Sequence, residues 1–269
     1  MTADSPSTEQ VADILMVTFD ALRFDVAERA YREGRTNNLA ALLPDGWERR
    51  HSPGNFTFAS HAALFGGFWP TPAEPGPSPR PFALRFPGSR TLHEKTQVLE
   101  GSNIVEGLRK LGFYTICIGG VGFFNKLTPL GSLFPAMFDE SHWRPEFSVS
   151  QIHSTRAQVR TTLDCLASQP PSRPLFLFIN LSATHPPTVG YLQGARADSV
   201  ETQEAALSYV DRQLEPLLDG LRQRGRPLNA FLLSDHGTLF GEEGYTGHRV
   251  GHDVVWTVPY GEFRWEPSS

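Results

Sequence analysis

Cysteine is scarce in this 269-residue chain, with only Cys117 and Cys165 present, both in apolar surroundings. Two thiols cannot build the disulfide framework that holds small secreted domains together, so both read as buried, reduced side chains. A basic surplus is missing as well: Lys and Arg number 24 against 29 Asp and Glu, for a formal charge of −5. No Lys/Arg cluster offers a face to a polyanion, which excludes nucleic acid as a partner. No apolar run is long enough to cross a bilayer, and Met1 to Gln10 lack the basic-then-apolar order of a signal peptide. Together these absences predict a soluble, cytoplasmic protein without a membrane partner.

What is present is 39% hydrophobic residues, enough for one large core. Residues 1–11 read as a disordered N-terminus and 12–269 as a single domain. Asp13-Ile-Leu-Met-Val-Thr-Phe19 is a near-continuous apolar run ending at Asp20, the pattern of a parallel strand covered on both faces. An amphipathic stretch (Arg23 to Glu33) and a short helix from Thr36 to Leu42 follow, closed by Pro44 and Gly46. Prolines 70, 72, 75, 77, 79, 81 and 87 deny regular structure to 69–87, a long loop that reads as a passive surface segment or as a lid. A helix from Asn103 to Leu111 and a strand from Phe113 to Ile118 come next. The stretch Phe123 to Phe147 is aromatic and irregular. A helix from Thr155 to Ser168, a strand Leu175–Leu181, a helix from Glu201 to Arg224 and a strand Asn229–Leu233 complete the pattern. Alternation of helices with short apolar strands predicts an α/β three-layer sandwich with a largely parallel central sheet.

Three strand ends carry polar chemistry: Asp20, His185, and the pair Asp235-His236. Open α/β sheets place ligands there. Neighbouring side chains on a strand point to opposite faces, so Asp235 and His236 reach one ion only if the chain turns, and Gly237 is the residue expected to turn it. Thr57 opens the apolar segment Thr57-Phe-Ala-Ser-His61-Ala-Ala-Leu-Phe-Gly-Gly67, preceded by Ser52-Pro53-Gly54. A threonine at a helix start is a cap or, with its hydroxyl near the positive helix end, a nucleophile. Asp20, Asp235, His236 and Thr57 would form an O₃N donor set that suits one Zn²⁺ or Mn²⁺ ion, with Mg²⁺ or Ca²⁺ less suited to the imidazole. His61 reads either as a neighbour of the nucleophile or as a helix-surface residue. His252, four residues after His248, would join it in a second metal site on a helix, or lie on the surface. Asp211 reads as a structural partner.

The order of segments resembles the alkaline phosphatase superfamily, in the sulfatase-like branch that includes phosphonate monoester hydrolases, phosphoethanolamine transferases and lipoteichoic acid synthases. The stretches that carry the resemblance are Ile14-Leu-Met-Val-Thr-Phe-Asp20, Thr36-Asn-Asn-Leu39, Asn55-Phe-Thr57-Phe-Ala-Ser-His61, Leu108-Arg-Lys-Leu-Gly112, Phe178-Ile-Asn-Leu-Ser-Ala-Thr-His185, Tyr209-Val-Asp211 and Ser234-Asp-His-Gly237, with Gly241-Glu-Glu-Gly244 and His248 behind them. The resemblance implies an alkaline-phosphatase-like fold, one metal on Asp20, Thr57, Asp235 and His236, and Thr57 as covalent nucleophile. It also implies that His185 and His248 contact the transferred or leaving group. The expected activity is metal-dependent hydrolysis or transfer of a small phosphate ester or phosphonate through a phospho-threonine. Departures are equally informative. Thr57 stands where sulfatases carry a Cys or Ser that becomes formylglycine, Ala21 replaces a second aspartate, and Gly119-Gly-Val-Gly122 replaces a lysine-bearing stretch. The alternative expectation is a non-catalytic metal- or anion-binding module, or a scaffold within a biosynthetic complex.

Overall fold

The computed structural model describes residues 10–67 and 103–267. The proline-rich segment 69–87 and nearly all of the expected disordered N-terminus lie outside the described residues. In chain order the elements are β1 (Asp13–Phe19), α1 (Phe24–Arg32), α2 (Asn37–Leu42), β2 (Glu48–His51), α3 (Thr57–Gly66), α4 (Ile104–Lys110), β3 (Tyr114–Ile118), α5 (Pro129–Ser132) and β4 (Glu140–His142). The second half holds α6 (Ser154–Ser168), β5 (Leu175–Leu181), α7 (Val200–Gln223), β6 (Leu228–Leu233), β7 (Leu239–Phe240), β8 (Thr246–Gly247), α8 (Asp253–Trp256) and β9 (Thr257–Trp265).

One seven-stranded sheet runs in the order β2-β9-β6-β1-β5-β3-β4. Strands β6, β1, β5, β3 and β4 are mutually parallel, and β9 and β2 close one side as antiparallel strands. The three-layer α/β expectation holds. The antiparallel edge was not legible: Pro259 and Gly261 interrupt β9, and all four residues of β2 are exposed.

Period-two alternation sorts the central strands between two cores. Leu15, Val17 and Phe19 of β1, with Leu175, Leu177, Ile179 and Leu181 of β5, face α1, α6 and α7. Ile14 and Met16, with Phe176 and Phe178, face α3, α4 and the aromatic segment. That segment, unreadable as regular structure, is the second core's cover: Phe124 and Phe134 are fully buried, 5.5 Å apart between ring centroids, and Phe65 lies 5.1 Å from Phe178. Rings at these separations in tilted and edge-on arrangements contribute beyond the area they bury. Thr18, Asp20 and Asn180 share the even-numbered register that faces α3, with Thr18 paired to Asn180 across the sheet. Strand polarity thus delivers β1, β5 and β6 to one rim, with α3 starting above it.

Candidate active site

Asp20 follows β1 directly and is fully buried. The next residue, Ala21, is left-handed (φ 59). This unusual conformation for a residue with a Cβ aims the Ala21 N–H at Asp235 Oδ1, 3.1 Å away. The Ala21 carbonyl accepts from Gln203 Nε2 at 2.8 Å, and the same amide nitrogen donates to Thr184 O at 2.9 Å. One buried glutamine of α7 therefore ties the ends of β1 and β5 together. Asn180 does comparable service for Asp20. Its Oδ1 accepts from Val121 N at 3.0 Å, which turns its NH₂ toward Asp20 Oδ2 at 2.9 Å. Gly120 is required beside it, because a Cβ there would stand 2.3 Å from Asn180 O.

Asp235 and His236 follow β6. Asp235 Oδ1 also accepts from the His236 N–H at 3.1 Å, and its carbonyl accepts from Ser60 Oγ at 2.7 Å and from Ser52 Oγ. His236 Nδ1 lies 2.9 Å from Gly237 O. A carbonyl only accepts, so Nδ1 carries the proton and the lone pair sits on Nε2. The expected turn at Gly237 needs correction. Its backbone is not left-handed; glycine is required because a Cβ would stand 2.0 Å from Val254 O, where α8 crosses.

Thr57 is the first residue of α3, and the N-cap is Phe56, whose side chain makes no capping bond. The threonine hydroxyl does not cap. It lies 3.3 Å from His236 Nε2 and 3.5 Å from Asp20 Oδ2. His236 Nε2 is also 3.4 Å from Asp235 Oδ2 and 3.9 Å from Asp20 Oδ1. The structure thus brings all four expected ligands together, and the Asp20, Asp235 and His236 donor atoms lie within 4.8 Å of one another.

The electrostatics show what this cluster lacks. Burial, with the Asp235 charge adding to it, pushes the Asp20 carboxyl up to about 6, and burial pushes Asp235 up to about 7. Burial also holds the His236 imidazolium below its ordinary range. Asp20 Oδ1 and Asp235 Oδ2 are buried without a hydrogen-bond partner. Two orphaned carboxylate oxygens, an imidazole lone pair and a hydroxyl facing one point are a donor set completed by a divalent cation. The residues present fit the implied metal.

His248 and His185 complete the rim. The His248 ring centroid lies 4.5 Å from His236 and 5.4 Å from His185. Burial, then the neighbouring imidazoles, pushes His248 down to about 3, so it is neutral. His185 Nδ1 faces Pro186 O at 2.5 Å, leaving Nε2 as its free acid–base atom. His61 is not on the surface. It is fully buried behind the nucleophile, with Nδ1 2.8 Å from Thr57 O and Nε2 3.3 Å from Thr18 Oγ1.

The second site imagined on His252 is not formed. Arg249, left-handed at φ 73, breaks any helix between it and His248, and the His252 side chain caps α8 at Val254 N. Asp211 is structural, accepting from the Leu39 and Asn38 amides at 2.8 and 3.3 Å. Asn180, Gln203, Ser52 and Ser60 were missed. Asn180 and Gln203 left one trace each, a polar residue inside an apolar strand and an apolar helix stripe.

Residues 13–260 match the sulfatase family, and the chain belongs to it. Its fold is that of the alkaline-phosphatase-like branch. The soluble domain of lipooligosaccharide phosphoethanolamine transferase A from Neisseria meningitidis superposes with a TM-score of 0.66 at 15% identity, over 96% of this chain and 78% of that one. The C-terminal periplasmic domain of EptC from Escherichia coli, in complex with Zn, gives 0.65 at 12% identity, over 98% of this chain and 75% of that one. The lipoteichoic acid synthase LtaP from Listeria monocytogenes gives 0.61 at 11% identity, over 97% and 67%. In sequence, the phosphoethanolamine transferase OpgE of Escherichia coli (strain K12) is 25% identical over 158 residues, 56% of this chain but 30% of OpgE. The chain thus spans under a third of that relative.

The cytoplasmic expectation is overturned by neighbours that are C-terminal periplasmic domains, those of EptC from Campylobacter jejuni and from Escherichia coli. The physical reason is that burial alone accounts for the two thiols: both are buried and free, with burial raising the pKa of each, so their count carries no information about compartment. Among the described residues no helix is long and apolar enough to cross a membrane.

Proposed function

We propose that this chain is a metal-dependent phosphoryl-group transferase or hydrolase that works through a phospho-Thr57 intermediate. The carrying observation is the convergence of the Thr57 hydroxyl, the His236 Nε2 lone pair and two partnerless buried carboxylate oxygens on one point. Asp20, Thr57, Asp235 and His236 would hold the ion, with zinc favoured by the nitrogen ligand and by the zinc complex of a similar domain. When bound, the ion lowers the Thr57 hydroxyl pKa and offsets charge on the phosphoryl oxygens.

Thr57 Oγ1, its hydroxyl proton released to water, attacks phosphorus in line. The new P–O bond forms as the opposite ester bond breaks, and the leaving oxygen keeps the electron pair. His185 protonates that oxygen through Nε2. Neutral His248 then takes the proton of the acceptor, whose oxygen bonds to phosphorus as the Thr57 Oγ1–P bond breaks and Oγ1 regains a proton from water, each side-chain proton transfer contributing roughly 10²–10⁴ in rate. Kinship to phosphoethanolamine transferases supports a phosphodiester headgroup of a lipid or glycan as substrate, in place of the free small ester first expected.

Intact mass and metal content of wild type and Thr57→Ala, after incubation with zinc and phosphoethanolamine-bearing phosphodiesters, test the reading. One equivalent of metal in the wild type and a phosphoethanolamine-sized adduct that Thr57→Ala lacks are expected. Stoichiometric metal with neither adduct nor turnover would establish the binding-module alternative. A chain without metal would remove the site.

A further inference from the structure

We propose that Arg249 forms the anion subsite of this centre, binding a non-bridging oxygen of the phosphoryl group that Thr57 attacks. The inference rests on the reading above and adds the group that recognises the substrate's charge. Two carboxylates and one divalent ion would leave the floor of the site without net charge. A phosphoryl anion entering there needs a fixed cation at the mouth.

Among the described residues two arginines lie close to the rim, and they differ in kind. Arg23 is spent: its guanidinium is bonded to Asp25 Oδ1 and Oδ2 at 2.8 and 2.7 Å and to Glu242 Oε1. Arg249 has no carboxylate partner among the described residues, and it is exposed. Its backbone is anchored against the nucleophile's own turn, with the Arg249 N–H donating to Asn55 O at 2.9 Å. Its guanidinium carbon lies 5.8 Å from the ring centroid of Phe56, the residue before Thr57. On its other side it follows His248, which packs on His236.

The backbone makes a functional reading more economical than an incidental one. At φ 73 Arg249 occupies the left-handed region that glycine enters freely and a long side chain does not. An arginine there, its guanidinium near an aromatic ring and without a carboxylate partner among the described residues, is strain kept at a site where the side chain has a use. A guanidinium held in this way can grip two phosphoryl oxygens side by side, which a lysine cannot.

The test uses the zinc-loaded chain, with inorganic phosphate as the probe in calorimetric titration. Arg249→Ala and Arg249→Gly are expected to bind phosphate about ten- to a hundredfold more weakly, the range of a charge-assisted hydrogen bond, while retaining one equivalent of zinc. Arg249→Lys should recover part of the loss. Arg249→Gly should also melt higher than wild type, because it relieves the left-handed strain, so affinity and stability move in opposite directions. Phosphate affinity unchanged in Arg249→Ala and Arg249→Gly would overturn the proposal, as would loss of zinc in all three variants, which would make Arg249 a structural residue. A wild type that binds zinc and forms the phospho-Thr57 adduct alongside unchanged variants would sink Arg249 alone. A wild type that binds neither zinc nor phosphate would sink the functional reading with it.

Discussion

Two clusters in this molecule bring together side chains that could ligate a metal, and their hydrogen bonding separates them. Glu140, His142 and Cys165 lie at the β4 edge of the sheet, with donor atoms within 4.8 Å of one another, as in the Asp20 cluster. There every group is answered. Glu140 Oε1 accepts from His142 Nε2 at 2.6 Å and from the Cys165 thiol at 3.4 Å, and Oε2 accepts from Tyr114 at 3.2 Å. Burial would raise the Glu140 carboxyl, but these bonds hold it below its ordinary range. The Cys165 thiol, raised by burial to about 12, stays protonated and donates. In the Asp20 cluster burial prevails, both carboxyls are raised, and two oxygens point at nothing. Proximity of ligand types is therefore common to both; unsatisfied valence belongs to one.

The largest effect that follows is on metal binding. Asp235→Asn keeps an acceptor for the Ala21 and His236 amides but removes the charge, and should lower zinc affinity by more than the 10- to 100-fold typical of losing an outer-shell partner. Equilibrium competition with a chromophoric chelator measures it. Wild-type affinity in Asp235→Asn would mean that the orphaned oxygens have another explanation, and the two clusters would no longer differ in kind.

Removing the metal should expose the buried carboxyls to pH. In the metal-free folded chain Asp20 and Asp235 titrate near 6 and 7, well above their ordinary value of 3.8. Between about pH 4 and pH 7 the folded state therefore holds more protons than the unfolded one, and stability contributed by these groups falls as pH rises. His61, His236 and His248, shifted down, act in the opposite sense, losing stability as pH falls. Comparison with metal-free Asp235→Asn cancels the histidines. Relative to that variant, the chelated wild type should lose on the order of a few kcal/mol across the interval, read from denaturation midpoints. A flat difference would place Asp235 in a solvated setting.

The contrast between the clusters also explains what could be read beforehand. Asp20, His185 and Asp235 were legible because each ends an apolar run of strand length, and parallel strands bring such ends to one rim. The restraints on them were not. Ala21 carries no mark of its left-handed turn, and nothing near Gln203 says that it bridges Ala21 and Thr184. The glycine at 237 was legible as a requirement but not for its reason, since Val254 approaches from residues placed only by the fold. The Phe123–Phe147 stretch was opaque because its order comes from packing on β5, with no period of its own. Strand β9 was missed because a strand carrying Pro259, Gly261 and charged residues lacks the continuous apolar signal.

The smallest expected effect tests the satisfied cluster. Glu140→Gln keeps an acceptor oxygen but adds an NH₂ that faces the His142 and Cys165 donors. Losing one or two part-buried hydrogen bonds costs about 1–2 kcal/mol, seen as a shifted denaturant midpoint with unchanged slope. Metal content should stay at the wild-type value, because a carboxylate that already accepts three hydrogen bonds must surrender them to take a cation. A second zinc equivalent in the wild type that Glu140→Gln loses would reverse this ranking. It would show that hydrogen bonds satisfied in the absence of metal do not mark a cluster as structural, and the orphaned oxygens of Asp20 and Asp235 would lose much of their weight as a sign of a metal centre.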